Sequence, residues 1–500
     1  MPYLLGIDVG SSATKVGLFA PDGRAVVVAS RSYPTSEPHP GYKEQDPERW
    51  WQAVVESIQE VRSQAPAGEI LGIGTTGHIS SLTFVDTRGR SLRPAIGFQD
   101  QRSLQELEEL YTHFTREELA AHLGIDLPPA ATWPLPRLLW FQKHEPQTLE
   151  GSYCVLQAKD FVNFRLTGEF ASDLSSNRGI VDFAAGGVAH QVFSTLHLPE
   201  RLLPRMCRPE EVMGTVCPTA AQETGLPAGL PVVTGWNDLN AAVLGTGTVQ
   251  PGDAFNITGT SEHLGVVTSA SYQVPELMYT PFLPGKKLFY GVTSCGGGSL
   301  EWYRRNFQPD IEQLMVLAEK APAGSEALLF LPYLEGERSP IWDPRASGAF
   351  VGIRTLHGPG HFVRAILEGV AFGLRRILEL VEQHAGRVQE PLRISGGAAR
   401  GRLWNQIKAD VWGRNIAVPE HTHAGILGAA MLASVAVRQY PSCEAAAQGM
   451  VRLAGQFAPS PGRAVHYGQL YQLFVELYPA LRTCFTQLYQ QRVEGGPAHG

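Results

Sequence analysis

The residues best suited to chemistry stand at the ends of apolar runs. Gly6-Ile7-Asp8-Val9-Gly10-Ser11-Ser12-Ala13-Thr14-Lys15 places an acid at a strand end, then glycine and two hydroxyls, then a lysine. Such a hairpin can set a metal-ligating carboxylate beside backbone N–H donors and so hold phosphate groups. An ordinary hairpin with a surface lysine carries the same letters. Gly259-Thr260-Ser261 repeats the glycine–hydroxyl turn about half a chain later. Together the two turns could grip a triphosphate from opposite sides. Asp238, in Gly235-Trp236-Asn237-Asp238, lies between an apolar strand and a small-residue helix. It reads as a general base or as a helix N-cap. Asp100 and Arg102 offer a carboxylate and a guanidinium two residues apart, suited to sugar hydroxyls or to a surface ion pair. Ser395-Gly396-Gly397-Ala398-Ala399 would let the backbone approach a flat ligand such as a nucleoside, or merely pack a helix on a strand. Cys295-Gly296-Gly297-Gly298-Ser299 resembles a phosphate nest or a turn into a helix. Glu420-His421-Thr422-His423 lacks a third metal ligand nearby and reads as an exposed loop.

The elements that must position these residues follow from periodicity. Strands are expected at residues 3–9, 15–19, 69–75, 82–85, 231–234, 254–258 and 392–395. Helices are expected at 47–64, behind an Asp46 cap and Pro47, and at 103–111, 137–144, 361–382, 402–412, 425–437 and 465–491. Each half opens with a strand and a glycine–hydroxyl turn, which suggests a duplicated domain. Gly72-Ile73-Gly74-Thr75-Thr76-Gly77 fits a dinucleotide fingerprint, but residues 79–86 are strand-like where that motif needs a helix. A dehydrogenase is therefore disfavoured. No P-loop and no protein-kinase signature set occurs.

Composition narrows the class. The 500 residues exceed one ordinary core and imply two or three domains. With 43% hydrophobic and 18% charged residues the chain is an ordinary globular one. A net charge of −7 without a basic run argues against nucleic acid as a partner. The six cysteines show no C-x-x-C spacing and read as reduced thiols. No apolar run approaches the roughly 20 residues of a membrane span, and the N-terminus lacks a signal-peptide pattern. A cytoplasmic protein without a membrane partner is expected.

Several motifs stand in a specific order. Gly6-Ile7-Asp8-Val9-Gly10-Ser11-Ser12 is followed by Trp236-Asn237-Asp238 and Gly259-Thr260-Ser261. Then come Phe330-Leu331-Pro332-Tyr333-Leu334-Glu335-Gly336-Glu337-Arg338-Ser339-Pro340, Gly348-Ala349-Phe350-Val351-Gly352 and Ser395-Gly396-Gly397. This set resembles the FGGY carbohydrate kinases, within the actin–Hsp70–hexokinase group, from about residue 3 to about residue 437. Leu135-Pro136-Arg137-Leu138-Leu139-Trp140 resembles the family's other signature, with Arg137 where lysine is usual. The resemblance implies an α/β fold of two ribonuclease-H-like (actin-like ATPase) domains with an interdomain cleft. Residues 1–248 would bind sugar, 249–440 would bind ATP, and 441–500 would form a C-terminal helical extension. It implies Mg²⁺-dependent transfer of the ATP γ-phosphoryl to a small carbohydrate. The oligomeric state is not given by the sequence, and a homodimer is one open assembly. Asp238 would be the catalytic base and Asp8 the magnesium-side acid. Ser11, Ser12, Lys15, Gly259, Thr260, Ser261, Gly397 and Ala398 would serve ATP. Ile79, Ser80, Asp100 and Arg102 would contact the sugar together with Asp238. Residues 41–51 and 166–173 look xylulokinase-like, which puts a ketopentose such as D-xylulose first. Xylulokinases usually carry Gly-Gln-Met-His where this chain has Gly77-His78-Ile79-Ser80, and Trp-Asn-Asp where it has Phe98-Gln99-Asp100. These departures leave gluconate, another ketose or a polyol open. A non-catalytic actin-like ATPase or sugar-sensing regulator is the competing class. Loss of Asp8 or Asp238 would favour it, and both are present.

Overall fold

The computed structural model describes residues 1–307 and 310–494. They form two compact units, Met1–Gly247 with His423–Val451, and Thr248–Thr422 with the residues from Arg452 onward.

The first unit is built on a seven-stranded sheet. Its strands are β1 (Pro2–Val9), β2 (Ala13–Phe19), β3 (Ala25–Ser32), β4 (Glu69–Gly77), β5 (Val212–Thr215), β6 (Pro231–Val233) and β7 (Trp236–Asn237). Their order is β5-β6-β4-β1-β2-β3, with β7 also pairing β4. The β1–β2–β3 meander is antiparallel, whereas β4 runs parallel to β1. Alternation along β1 assigns its faces. Tyr3, Leu5, Ile7 and Val9 enter the core beneath helix α1 (Pro47–Gln64). Trp50, Val54, Ile58 and Val61 recur at helical spacing and bury the inner face of α1. Each such side chain contributes roughly 1.5–3 kcal/mol of burial. Asp46 caps this helix by accepting the Glu48 N–H at 3.0 Å, as expected. Helices α2 (Pro134–His144), α3 (Ala158–Thr167) and α4 (Asp238–Gly245) complete the parts of this unit that matter below.

The second unit repeats the plan. Its strands are β8 (Asp253–Thr258), β9 (Glu262–Thr268), β10 (Met278–Pro281), β11 (Lys287–Val292), β12 (Gln389–Gly396), β13 (Ile416–Pro419) and β14 (Leu453–Phe457). They lie in the order β10-β11-β9-β8-β12-β13-β14. The run β11-β9-β8-β12-β13 has the same order and polarity as β3-β2-β1-β4-β6: an antiparallel meander, then two parallel neighbours. Both halves therefore have ribonuclease-H-like topology. Helices α5 (Gly297–Phe307), α6 (Pro359–Ala385) and α7 (Arg402–Trp412) belong to this half. The long α6 buries fifteen of its residues, eleven of them in the second hydrophobic core.

Helix α8 (Ala424–Ala436) follows β13 of the second sheet in sequence but packs in the first unit. A side chain on Gly6 of β1 would put its Cβ 2.0 Å from the Ile426 carbonyl oxygen, and one on Gly74 of β4 would put it 1.8 Å from that of Ala429. Gly245 of α4 and Gly428 of α8 meet the Ala424 and Ala241 carbonyls at 1.9 Å in the same way. The sheet, α4 and α8 thus meet backbone to backbone, which only residues without a Cβ allow. By contacts, residues 423–451 group with the first unit, whereas the expected second domain runs to residue 440. Nor is the stretch 441–500 purely helical. Cys443–Met450 is a helix of the first unit, β14 extends the second sheet, and only then does the helix α9 (Pro461–Glu494) begin.

Candidate active site

Register brings two carboxylates to one end of the first sheet. Asp8 pairs with Thr76 across β1 and β4, and Trp236 pairs with Thr76 across β7 and β4. Asp238 follows as the first residue of α4, near enough to Asp8 for the two charges to repel. These are the C-terminal ends of parallel strands, where open α/β sheets hold their ligands. The N-cap of α4 is Asn237, whose side chain accepts the Asn240 N–H at 2.9 Å. Asp238 occupies the first helical position, so the capping role is not its own. Its Oδ1 accepts the adjacent Leu239 N–H at 2.8 Å, and its side chain is open to solvent. The surrounding protein strips part of its hydration and the Asp8 charge repels it, while Arg178 opposes both. The net effect pushes its pKa up to about 6. Solvent access moderates the first cause; the upward direction also rests on Asp8.

Burial raises the Asp8 carboxyl too, against the pull of Lys15, its cross-strand partner on β2. Asp8 Oδ1 is buried without a hydrogen-bond partner, and Oδ2 faces Gly425 at the start of α8. An orphaned carboxylate oxygen fits a divalent cation. Among the described residues no cluster of three or more His, Cys, Asp or Glu could hold a metal by itself. The arrangement suits an ion that brings most of its ligands as water and phosphate, which is magnesium's habit.

The two glycine–hydroxyl turns share a device. In the first, the carbonyls of Gly10, Ser11 and Ser12 accept from Tyr33 Oη, Gln45 Nε2 and Tyr33 N–H, leaving the Ser11 and Ser12 side chains exposed. In the second, Gly297 donates to the Gly259 carbonyl at 2.9 Å, and Gly296 and Gly298 donate to that of Thr260 at 2.6 and 3.0 Å. Gly259 and Thr260 are exposed and Ser261 half-buried. Each turn has its carbonyl dipoles neutralised by the protein, which removes their repulsion for an anion. The amides of Gly296, Gly297 and Gly298 are consumed in this bracing. The stretch Cys295–Ser299 is therefore a turn into α5 rather than a nest of free N–H groups. Behind the second turn, Glu262 is buried against Lys408 Nζ at 2.6 Å and Asn256 Nδ2 at 3.0 Å.

Gly396 has φ 107°, and a Cβ there would lie 2.0 Å from the Thr258 carbonyl oxygen. Gly397 has open space around its Cβ direction, and Ala398 donates its N–H to Thr258 Oγ1 at 3.1 Å. His421 and His423 sit in a half-buried loop before α8.

On the sugar side, Ile79 is half-buried and Ser80 buried. Asp100 and Arg102 are not presented as a polar wall. Asp100 is fully buried; its carboxylate accepts from the Lys43 N–H at 2.6 Å and from Arg102 Nε and Nη2 at 2.9 and 2.8 Å. The Arg102 side chain is 1% exposed, bridges to Glu44 at 2.8 Å, and lies between the rings of Tyr42 and Trp140. This pair shapes the loop from within, while Phe98 and Gln99 are its exposed members. Three further residues stand at this site without an expected role. Arg178 faces Asp238 electrostatically. His78 donates from Nδ1 to the Val9 carbonyl at 2.8 Å, keeps a buried Nε2 with no partner, and has its pKa pushed down by burial to about 4. Arg137 ties two loops together. Arg137 and His78 both stand where the chain departs from the patterns it resembles, which was the visible signal; nothing in the letters around Arg178 indicated a role.

The model of the FGGY family of carbohydrate kinases matches residues 3–245 with its N-terminal domain and 254–437 with its C-terminal domain. The xylulose kinase of Escherichia coli strain K12 is 32% identical, over 97% of this chain and 98% of that protein. The gluconokinase of Bacillus subtilis strain 168 is 28% identical over 97% of each. The crystal structure of xylulose kinase from Rhodospirillum rubrum superposes with a TM-score of 0.84 at 31% identity, covering 97% of this chain and all of that one. The chain belongs to the FGGY family of carbohydrate kinases. It is a sugar kinase, with the two-domain actin-like ATPase fold of that family. No helix among the described residues is long and apolar enough to cross a membrane.

Proposed function

We propose that the chain transfers the γ-phosphoryl of ATP to a hydroxyl of a ketopentose, D-xylulose first, with Asp238 as the base. The observation that carries this is the Asp238 carboxylate: solvent-open, at a rigid strand–helix junction, with a pKa of about 6. Such a group is ionised at neutral pH yet basic enough to take a proton as the hydroxyl attacks phosphorus. Phosphoryl transfer asks for little else from protein side chains than positioning and charge neutralisation. Asp8 would hold Mg²⁺, whose charge would offset that building on the phosphate oxygens. Ser11, Ser12 and Lys15 would contact phosphates, as would Gly259, Thr260 and Ser261. Gly397, open on its Cβ side, and Ala398 would take the adenosine. Ile79 and Ser80 would meet the sugar, with Asp100 and Arg102 shaping the loop behind.

Gluconate is the second reading. Its support is the similarity to a gluconokinase over nearly the full chain; the departures from the xylulokinase pattern at positions 78–80 and 98–99 leave it open. The deciding experiment is ADP release with MgATP across D-xylulose, other pentuloses, gluconate and polyols. A kcat/KM for D-xylulose below that for gluconate overturns the first choice. No turnover on any acceptor sinks the catalytic reading.

A further inference from the structure

Arg137 lies on α2 with its side chain fully buried and no carboxylate in ion-pair contact. Its guanidinium donates to four backbone carbonyls instead. Nη1 reaches Ser80, and Nη2 reaches Gly97, Phe98 and Asp100 at 2.9, 3.1 and 3.2 Å. These carbonyls belong to two separate loops, and they are the same two loops whose residue types set this chain apart from xylulokinases. Ser80 has φ 61°, in the left-handed region that a residue with a Cβ seldom enters. Such a conformation persists only where surrounding contacts over-determine it. The bond from Arg137 onto the Ser80 carbonyl is one such contact. A guanidinium can do this because its donors fork in a plane; a lysine ammonium concentrates its donors at one point and could not span both loops.

We propose that Arg137 is a positioning residue for sugar selection. It holds Ser80 in its left-handed conformation and locks that loop to the Gly97–Asp100 turn. The role acts through these loops and rests on reading them as the sugar contacts.

The test compares Arg137→Lys, Ser80→Gly and the double variant with the wild type, using MgATP and the best sugar. Arg137→Lys should raise sugar KM by about 10–100-fold, the usual cost of a displacement near 1 Å. ATP KM should stay within about twofold. Ser80→Gly frees position 80 from the need for a clamp, since glycine takes positive φ unaided. The KM penalty of Arg137→Lys should therefore shrink at least several-fold in that background. Amide hydrogen exchange in Arg137→Lys should quicken at residues 79–82 and 97–101 and not in α1. Arg137→Gln should show the same pattern. Sugar KM unchanged in Arg137→Lys, an equal rise in ATP KM, or the same penalty with and without Ser80→Gly overturns the proposal. So does failure of every Arg137 variant to fold in both backgrounds, which would make Arg137 a general core residue. A wild type that turns over no sugar defeats the kinase reading alone, and the exchange pattern then decides the clamp.

Discussion

Replacing Asp238 with Asn separates catalysis from stability at one position. The side chain keeps its size and loses its basicity. With a pKa of about 6, Asp238 is roughly 97% ionised at pH 7.5, so almost every wild-type molecule carries a competent base. Removing it should lower kcat by about 10²–10⁴, which is roughly 2.7–5.5 kcal/mol of barrier. Sugar and ATP affinities should stay within a few-fold, because the lost interaction belongs to the transition state. Stability should barely move. A carboxyl whose pKa is raised on folding holds its proton more tightly in the folded state. Its contribution is complete below the unfolded pKa near 3.8 and is lost as pH rises through about 6. Full conversion of that shift would give about 3 kcal/mol in favour of Asn at neutral pH; solvent access cuts it to about 1 or less. Loss of an anion from the first turn of α4 takes back about 0.3–1 kcal/mol. The Asn237 cap remains in place. Tm at pH 7.5 should thus fall within about 2 °C of wild type, with the difference drifting in favour of Asn between pH 4 and 7. The assay is coupled ADP release at saturating substrates beside calorimetry, and wild-type kcat/KM should show an acid limb near pH 6. Near-normal turnover in the variant, or an activity loss matched by a collapse in Tm, would refute the assignment.

Asp8→Asn should cut kcat and raise the magnesium concentration needed for half-maximal rate, while sugar KM holds; an unchanged magnesium titration would exclude the role. Gly428→Ala drives a Cβ to within 1.9 Å of the Ala241 carbonyl oxygen. It should cost about 1–3 kcal/mol of stability and depress kcat as α4 shifts; a calorimetric Tm equal to wild type would show that the seam yields freely. Lys408→Met strands the buried Glu262 carboxylate and should cost about 3–5 kcal/mol, with ATP KM rising more than sugar KM. A Glu262→Gln change in the same background should recover part of the stability, and no recovery would contradict the pairing.

The local half of this architecture was legible because periodicity and capping are local. The strand at β1, the helix from Pro47 behind Asp46, and the helix Arg402–Trp412 fall where alternation and cap residues put them. The order of the motifs carried the family. What stayed hidden was long-range. Ala424–Ala436 shows its small residues in the letters, but nothing says that they are small to meet Gly6 and Gly74 rather than the second sheet. Asp100 and Arg102 were legible as a pair, whereas Glu44, Tyr42 and Trp140, which enclose them, come from distant segments. Asp238 looked like a cap because acids often are; its neighbour Asn237 took that place, and only the geometry could say which.

The placement of α8 has a consequence for how the chain is made. The sheet of the first unit is complete by Gly247, yet the helix that closes one of its faces is not synthesised until residues 424–436. At translation rates of about 5–20 residues per second, nearly 180 residues separate the two, an interval of roughly 9–36 s. Throughout it the nascent first half carries an uncovered apolar face lined by glycines, with Asp8 at its rim. The first unit cannot finish folding until residues 423–451 are made, after Thr248–Thr422 of the second. A fragment ending at Gly247 should bind holdase chaperones and aggregate, and adding residues 423–451 in trans should relieve it.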